Sequence, residues 1–290
     1  MLEKDSFCKV NLLLNILGKR PDGFHELETL LHPIGLHDRL SFDRCGRGIQ
    51  LTCNNPQLPV NGRNLVFRAA ALFFKQAKIK EGVRIHLEKR VPISAGLGGG
   101  SGNAATTLLA LNELFGKPLA PAALTEMAAA LGSDVPFFLQ NRPALATGRG
   151  EQIQPLDFFP TLRAAHILLI HPGFGISTAW AYQQLGRFPA AQNGRAGRAQ
   201  KLAELLRTGD AATAARHFYN SLEAPALHKY PLLELFQQFL RENGAWAALM
   251  SGSGSTTFAL ADDRAGAERL LESFKVKFGL KCWTEIVKME

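Results

Sequence analysis

Residues 92–103 read PISAGLGGGSGN, with glycine at 96, 98, 99, 100 and 102. Glycine tolerates positive φ and lets backbone N–H groups approach a ligand closely. Before this run, VRIHLEKR at 83–90 alternates. Val83, Ile85 and Leu87 face one way, and Arg84, His86 and Glu88 the other, which predicts a half-buried strand ended by Pro92. After the run, the spacing predicts a helix over 103–115 with Ala104, Leu108, Leu111 and Phe115 as its buried stripe. A glycine loop leading into a helix N-terminus offers unpaired N–H groups and a partial positive charge, a cradle suited to a di- or triphosphate. No Gly-Lys-Ser/Thr closes it, so it is not a P-loop, and Ser101 stands where a dinucleotide-binding loop needs its last glycine. The plain alternative is a flexible surface loop. Five glycines within 96–102, with Ser101 and Asn103 at the helix start, favour phosphate.

Outward from the loop, residues 9–17 (KVNLLLNIL) are apolar on both alternating faces and suit a central strand. Residues 18–23 (GKRPDG) read as a tight turn. Residues 28–37 and 38–45 read as two further strands, 53–64 as a loop and 65–77 as a helix. On the other side, 124–131 reads as a helix closed by Gly132, and 167–170 as a buried strand. Residues 192–201, rich in Gly, Ala and Arg, read as a solvated loop or linker. Helices are expected over 202–206, 213–221, 231–243 and 265–278, and strands over 256–260 and 282–287. The expected fold class is α+β in two domains, 1–157 and 158–290, the second with helices on a small mixed or antiparallel sheet.

Composition bounds the function. With 290 residues, 46% of them hydrophobic, the chain can bury a core. Lys and Arg number 33 against 25 Asp and Glu, a charge of +8 that suits an anionic partner. The start, MLEKDSF, is charged where a signal peptide is apolar, and no apolar run approaches a membrane span. The four cysteines form no CxxC pair and no metal-ligand spacing is present, so a reducing, cytoplasmic setting is expected.

Three stretches together resemble the GHMP kinases: Lys9-Val10-Asn11, the Pro-x-x-x-Gly-Leu-Gly-Gly-Gly-Ser loop, and Met250-Ser251-Gly252-Ser253-Gly254-Ser255. Two more, Asp22-Gly23-Phe24-His25 and Gly132-Ser133-Asp134-Val135-Pro136-Phe137-Phe138, resemble one branch of that family. That branch phosphorylates a cytidine-diphosphate-bearing alcohol in the non-mevalonate isoprenoid route. The chain departs from the family's usual pattern at Gly102, where a second Ser is usual, at Ser255, where Pro is usual, and at Phe24, where Tyr is commoner. The resemblance implies a two-domain architecture: an N-terminal domain with the phosphate loop and a ferredoxin-like C-terminal domain.

It also implies ATP, Mg2+ and a set of site residues. Read from pattern alone, Lys9 is a snorkelling strand lysine and Asp134 a helix N-cap. The resemblance makes them the catalytic pair, the carboxylate taking the hydroxyl proton and the lysine steadying charge. It assigns ATP to Pro92, Ile93, Ser94, Ala95, Gly96, Leu97, Gly98, Gly99, Gly100, Ser101 and Gly102, with Asn64 and Lys89 near the nucleotide. Ser101 is either a metal contact or a simple cap. Phe24 and Tyr182 align with a sandwich around cytosine and His25 with its edge reader; Asn11 and Thr178 align with polar substrate contacts. The partner expected is a small molecule, not nucleic acid or membrane. Two alternatives stand beside this reading: another small-alcohol kinase of the same family, and a basic nucleic-acid-binding protein, suggested by the charge and the Arg-rich stretch 187–201.

Overall fold

The computed structural model of the chain describes residues 1–192, 194–209 and 211–289. Its strands in chain order are β1 (Leu2–Lys19), β2 (His25–Cys45), β3 (Ile49–Cys53), β4 (Gly82–Glu88), β5 (Ala144–Thr147), β6 (Gln152–Pro155), β7 (His166–His171), β8 (Tyr219–Asn220), β9 (Ala247–Met250), β10 (Thr257–Ala261) and β11 (Trp283–Lys288). The helices are α1 (Leu65–Ala77), α2 (Gly99–Leu114), α3 (Pro121–Leu131), α4 (Thr178–Gln184), α5 (Arg198–Thr208), α6 (Ala211–Ala215), α7 (Glu223–Lys229), α8 (Pro231–Glu242) and α9 (Arg264–Phe278). Two compact units form, one from Met1–Cys8, Leu36–Pro92 and Gly98–Asn141, the other from Lys9–Gly35, Ile93–Leu97 and Arg142–Glu290. A single cut at 157/158 does not separate them, because β1 and β2 each contribute residues to both.

In the first unit, the second half of β2 pairs antiparallel with β4, Arg39 opposite Glu88 and Cys45 opposite Gly82, and β3 pairs parallel with β4. The alternation in β4 behaves as expected: Val83, Ile85 and Leu87 are buried while Arg84 and His86 are exposed. Helix α1 packs on α2 and α3 through Val66, Ala69, Ala70 and Phe73. It stops at Lys78, whose left-handed φ of 53° closes the last turn. Helix α2 begins four residues earlier than expected, at Gly99, so the end of the glycine run is its first turn. Gly98 at φ 68° supplies the entry, and the Gly102 N–H donates to Gly98 O at 2.9 Å. The helix-weakening cost of glycine is offset by close packing that only glycine allows at 102, where a Cβ would lie 2.5 Å from Phe7 O.

In the second unit, β1 pairs parallel with β8, Leu13 opposite Tyr219 and Leu14 opposite Asn220. The first half of β2 pairs antiparallel with β5, and β5 with β6. A separate antiparallel sheet runs β11-β7-β10-β9, with α8 and α9 packed on it. Ile167, Leu168, Leu169 and Ile170 are fully buried there. Phe236 and Phe274 meet edge to face at 4.8 Å in one core cluster with Leu168 and Ile170. Burial of each is worth roughly 1.5–3 kcal/mol.

Three expectations are corrected. The pieces 28–37 and 38–45 are one strand, β2, because its pairing passes from β5 to β4 without a break in extended backbone. Residues 213–221 are not one helix: α6 ends at Ala215, and Tyr219–Asn220 is drawn into pairing with β1. The stretch 192–201, of which 193 lies outside the described residues, is not wholly a solvated loop. Helix α5 starts at Arg198, and the buried Glu28 carboxylate accepts from Gly197 N (2.8 Å), Arg198 N (2.8 Å) and Ala199 N (3.3 Å). A carboxylate on these unpaired N–H groups complements the helix dipole. No helix among the described residues is long and apolar enough to cross a membrane.

Candidate active site

Lys9 and Asn11 are two apart on β1 and so share one face; both are buried, at 3% and 4% exposure. The Lys9 ammonium donates to Asn11 Oδ1 at 2.5 Å and to Gly96 O at 3.1 Å. Gly96 O also accepts from Ser251 Oγ at 2.9 Å, and Ser251 Oγ accepts from Asn11 N at 3.3 Å. Asn11 Nδ2 donates to Thr29 Oγ1 at 2.9 Å, which fixes the amide's orientation. Three stretches far apart in the chain thus share one hydrogen-bond network inside the second unit. The approach is close: a Cβ on Gly96, at φ 79°, would sit 2.1 Å from Ser251 O, and one on Gly252 would sit 3.4 Å from Lys9 Nζ. Ile93, Ser94 and Ala95 lead up to this point, with Ala95 O accepting from Thr256 N at 3.2 Å. Leu97 O accepts from Lys9 N at 2.9 Å.

The rest of the glycine run lies in the first unit. Gly99 packs on Lys89, whose ammonium is 2.9 Å from where a Cβ would be. Lys89 is ion-paired with the fully buried Asp38. Asp38 also accepts from Arg90 N (2.7 Å), Val91 N (2.8 Å) and Asn103 Nδ2 (2.9 Å). Lys89 therefore lies at the α2 N-terminus, in a knot centred on Asp38, a residue with no local sequence signal. Gly100 is different: it is exposed, and its added Cβ would meet only Leu65 Cδ1 at an ordinary 3.5 Å. Packing does not demand glycine there. Ser101 sits half-buried in the same turn.

Asn64 is the N-cap of α1. Its Oδ1 accepts from Val66 N at 2.9 Å and its Nδ2 donates to Pro59 O at 2.8 Å, so the amide is engaged in local structure. Asp134 is half-buried in the turn after α3. It is not the expected N-cap: Val135 holds that position before the short 3-10 helix Pro136–Leu139, with no side-chain cap.

In the second unit, the turn after β1 is pinned by Arg20 N to Phe24 O at 2.7 Å and Phe24 N to Asp22 Oδ1 at 3.1 Å. It presents Phe24, 52% exposed, with the Arg149 guanidinium 4.6 Å from its ring centre. His25 lies against Tyr182, ring centres 5.2 Å apart. Burial, with Lys19 nearby, lowers the His25 pKa, which favours a neutral ring that both donates and accepts. Thr178 opens α4 and shares a 2.9 Å hydrogen bond with Ser253 of the third glycine segment. Phe24 therefore packs with Arg149, and Tyr182 with His25.

Residues 64–142 match the family profile described as "GHMP kinases N terminal domain" and 202–279 match "GHMP kinases C terminal". The chain is 42% identical over 269 residues to the 4-diphosphocytidyl-2-C-methyl-D-erythritol kinase of Pelotomaculum thermopropionicum, covering 92% of each chain. It is 44% identical over 259 residues to the kinase of that name from a Synechococcus strain, covering 87% of this chain and 82% of the other. A crystal structure of 4-(cytidine 5'-diphospho)-2C-methyl-D-erythritol kinase superposes with a TM-score of 0.82 at 36% identity, over 99% of both chains. With its motifs joined through Lys9, Gly96 and Ser251 and these relatives matching nearly end to end, the chain belongs to the GHMP kinase family, among the 4-diphosphocytidyl-2-C-methyl-D-erythritol kinases.

Proposed function

We propose that the protein transfers the γ-phosphoryl group of ATP to the 2-hydroxyl of 4-diphosphocytidyl-2-C-methyl-D-erythritol, a step of the non-mevalonate isoprenoid route. The observation that carries this is the network joining Lys9, Asn11, Gly96 and Ser251, in a chain whose curated relatives bear that substrate's name.

In this reading residues 92–102 hold the ATP phosphates through backbone N–H groups, with Gly100 leaving room for close approach. Asn64 and Lys89 border the nucleotide. Asp134 takes the proton of the attacking hydroxyl, and Lys9 steadies charge on the transferring group. The hydroxyl oxygen forms the new bond to phosphorus as the bond to the ADP oxygen breaks. Phe24 and Tyr182 stack on the cytosine, the neutral His25 reads its edge, and Asn11 and Thr178 make polar contacts to the substrate.

Mg2+ accompanies ATP. Among the described residues no cluster of three or more His, Cys, Asp or Glu could hold a metal. That fits an ion which keeps its waters and is bound mainly by substrate phosphates plus one or two protein oxygens. Ser101 is the side-chain oxygen offered; the ion would screen phosphate charge.

The test is ADP release with the cytidyl substrate, ATP and Mg2+. Turnover is expected, and Asp134→Asn should lower kcat about 100-fold or more while ATP binding changes little. Absence of turnover, or turnover indifferent to the cytidyl group, would overturn the proposal.

A further inference from the structure

The third glycine segment is held from outside the three family motifs. Asn220, at the end of β8, donates from Nδ2 to Met250 O at 2.7 Å and to Gly252 O at 2.8 Å. Its Oδ1 accepts from Leu222 N at 2.9 Å, so the amide cannot turn over without losing all three bonds. Glu223, which opens α7, accepts on Oε1 from Met250 N at 2.8 Å and from Gln237 Nε2 at 2.7 Å. The corner at 250–252 therefore has both polar groups of Met250 and the carbonyl of Gly252 fixed by two side chains. That same corner carries Ser251 Oγ, bonded to Gly96 O and Asn11 N, and Gly252, packed near the Lys9 ammonium.

We propose that Asn220 and Glu223 are positioning residues for phosphoryl transfer, setting segment 251–254 and through it the placement of Lys9 and Asn11. The inference rests on the kinase reading above. A loop displaced by about 1 Å can cost ~100-fold in rate, so the clamp should act on kcat more than on folding.

Glu223 adds a titratable element. Burial of its carboxylate raises its pKa to about 7, against the Met250 N–H, Gln237 and Arg241, which favour the ionised form, while Glu234 adds to the rise. Both Gln237 and the two charged neighbours lie on α8, and β9 brings no charged side chain. Protonation weakens the acceptor that holds Met250 N, so the corner should loosen as pH falls below about 7.

The experiment compares the full-length wild type with Asn220→Asp and Glu223→Gln. Asn220→Asp keeps size and the Oδ1 acceptor but turns an oxygen toward two carbonyls. We expect kcat to fall about 10–100-fold, KM for ATP to move less, and thermal midpoint to stay within a few degrees. Glu223→Gln keeps an acceptor and should remove an ionisation near 7 from the kcat–pH profile. Deuterium exchange at 250–256 should quicken in Asn220→Asp. An unchanged kcat in Asn220→Asp, a rate loss recovered on cooling, or a profile still showing that ionisation in Glu223→Gln would overturn the proposal. If the wild type itself does not turn over the cytidyl substrate, the kinase reading fails, and exchange at 250–256 alone decides the clamp: unaltered exchange ends it.

Discussion

Residues 96–102 and 251–255 both contain glycines whose added Cβ would collide, but the second segment is reached through a corner that two distant side chains hold. Gly96 and Gly102 lie so near Ser251 O and Phe7 O that a Cβ would come within 2.1 and 2.5 Å. The corner at 250–252 is also tied by Asn220 and Glu223, two polar residues some thirty positions earlier in the chain. The second segment adds distant hydrogen bonds to its own close-packed glycines, Gly252 and Gly254, so the two should fail under different insults.

Gly96 is where the two segments touch, and Gly96→Ala should do the most damage. It combines a positive φ with a backbone collision, together about 3 kcal/mol or more, and should abolish turnover; urea unfolding and the ADP assay measure both. A variant with an unaltered urea midpoint would break the comparison.

Acidity should distinguish the segments next. Native Glu223 keeps its proton up to about pH 7, whereas the unfolded chain releases it near 4.5. Between those values the native state binds more protons, so this group makes stability fall as pH rises, by at most about 1.4 kcal/mol per pH unit. Glu223→Gln should flatten that part of the stability curve in urea titrations at pH 5 and pH 8; a slope identical to wild type would show that this carboxylate does not titrate as described.

Gly102→Ser restores the hydroxyl usual in the family, but its Cβ meets Phe7 O. We expect a loss of about 1–2 kcal/mol in chemical denaturation, without the pH dependence of Glu223. The smallest effect on folding belongs to Gly100→Ala, where the helix should gain up to about 1 kcal/mol while ATP affinity in a titration drops. Affinity equal to wild type would remove Gly100 from the phosphate cradle.

These differences explain what could be read in advance. Helix α1, strand β4 and the glycine loop announce themselves through periodicity and composition, whereas Lys9, Asn11 and Asp134 stand out only through their resemblance to family motifs. The α2 start at Gly99 was hidden because glycine reads as loop until its packing partners, Lys89 and Phe7, are known. Asp38 and Asn220 carry no local signal. Asp38 stands in an alternating strand and Asn220 in a stretch that reads as helix, and only long-range partners reveal them as hubs. Glu28 reads as one more strand residue, yet it fixes the start of α5.

The parallel pairing of β1 with β8 bears on how the chain is made. Leu13 and Leu14 find their partners at Tyr219 and Asn220, about 200 residues later. At roughly 5–20 residues per second, the first strand leaves the ribosome ~10–40 s before that edge is covered. Through that interval an apolar strand stands with an open side, the situation in which chains stick to one another. Residues 36–92 and 98–141 of the first unit close their contacts far earlier. A nascent chain stalled before residue 219 should therefore hold one finished unit and one sticky strand awaiting its partner, a natural customer for chaperones.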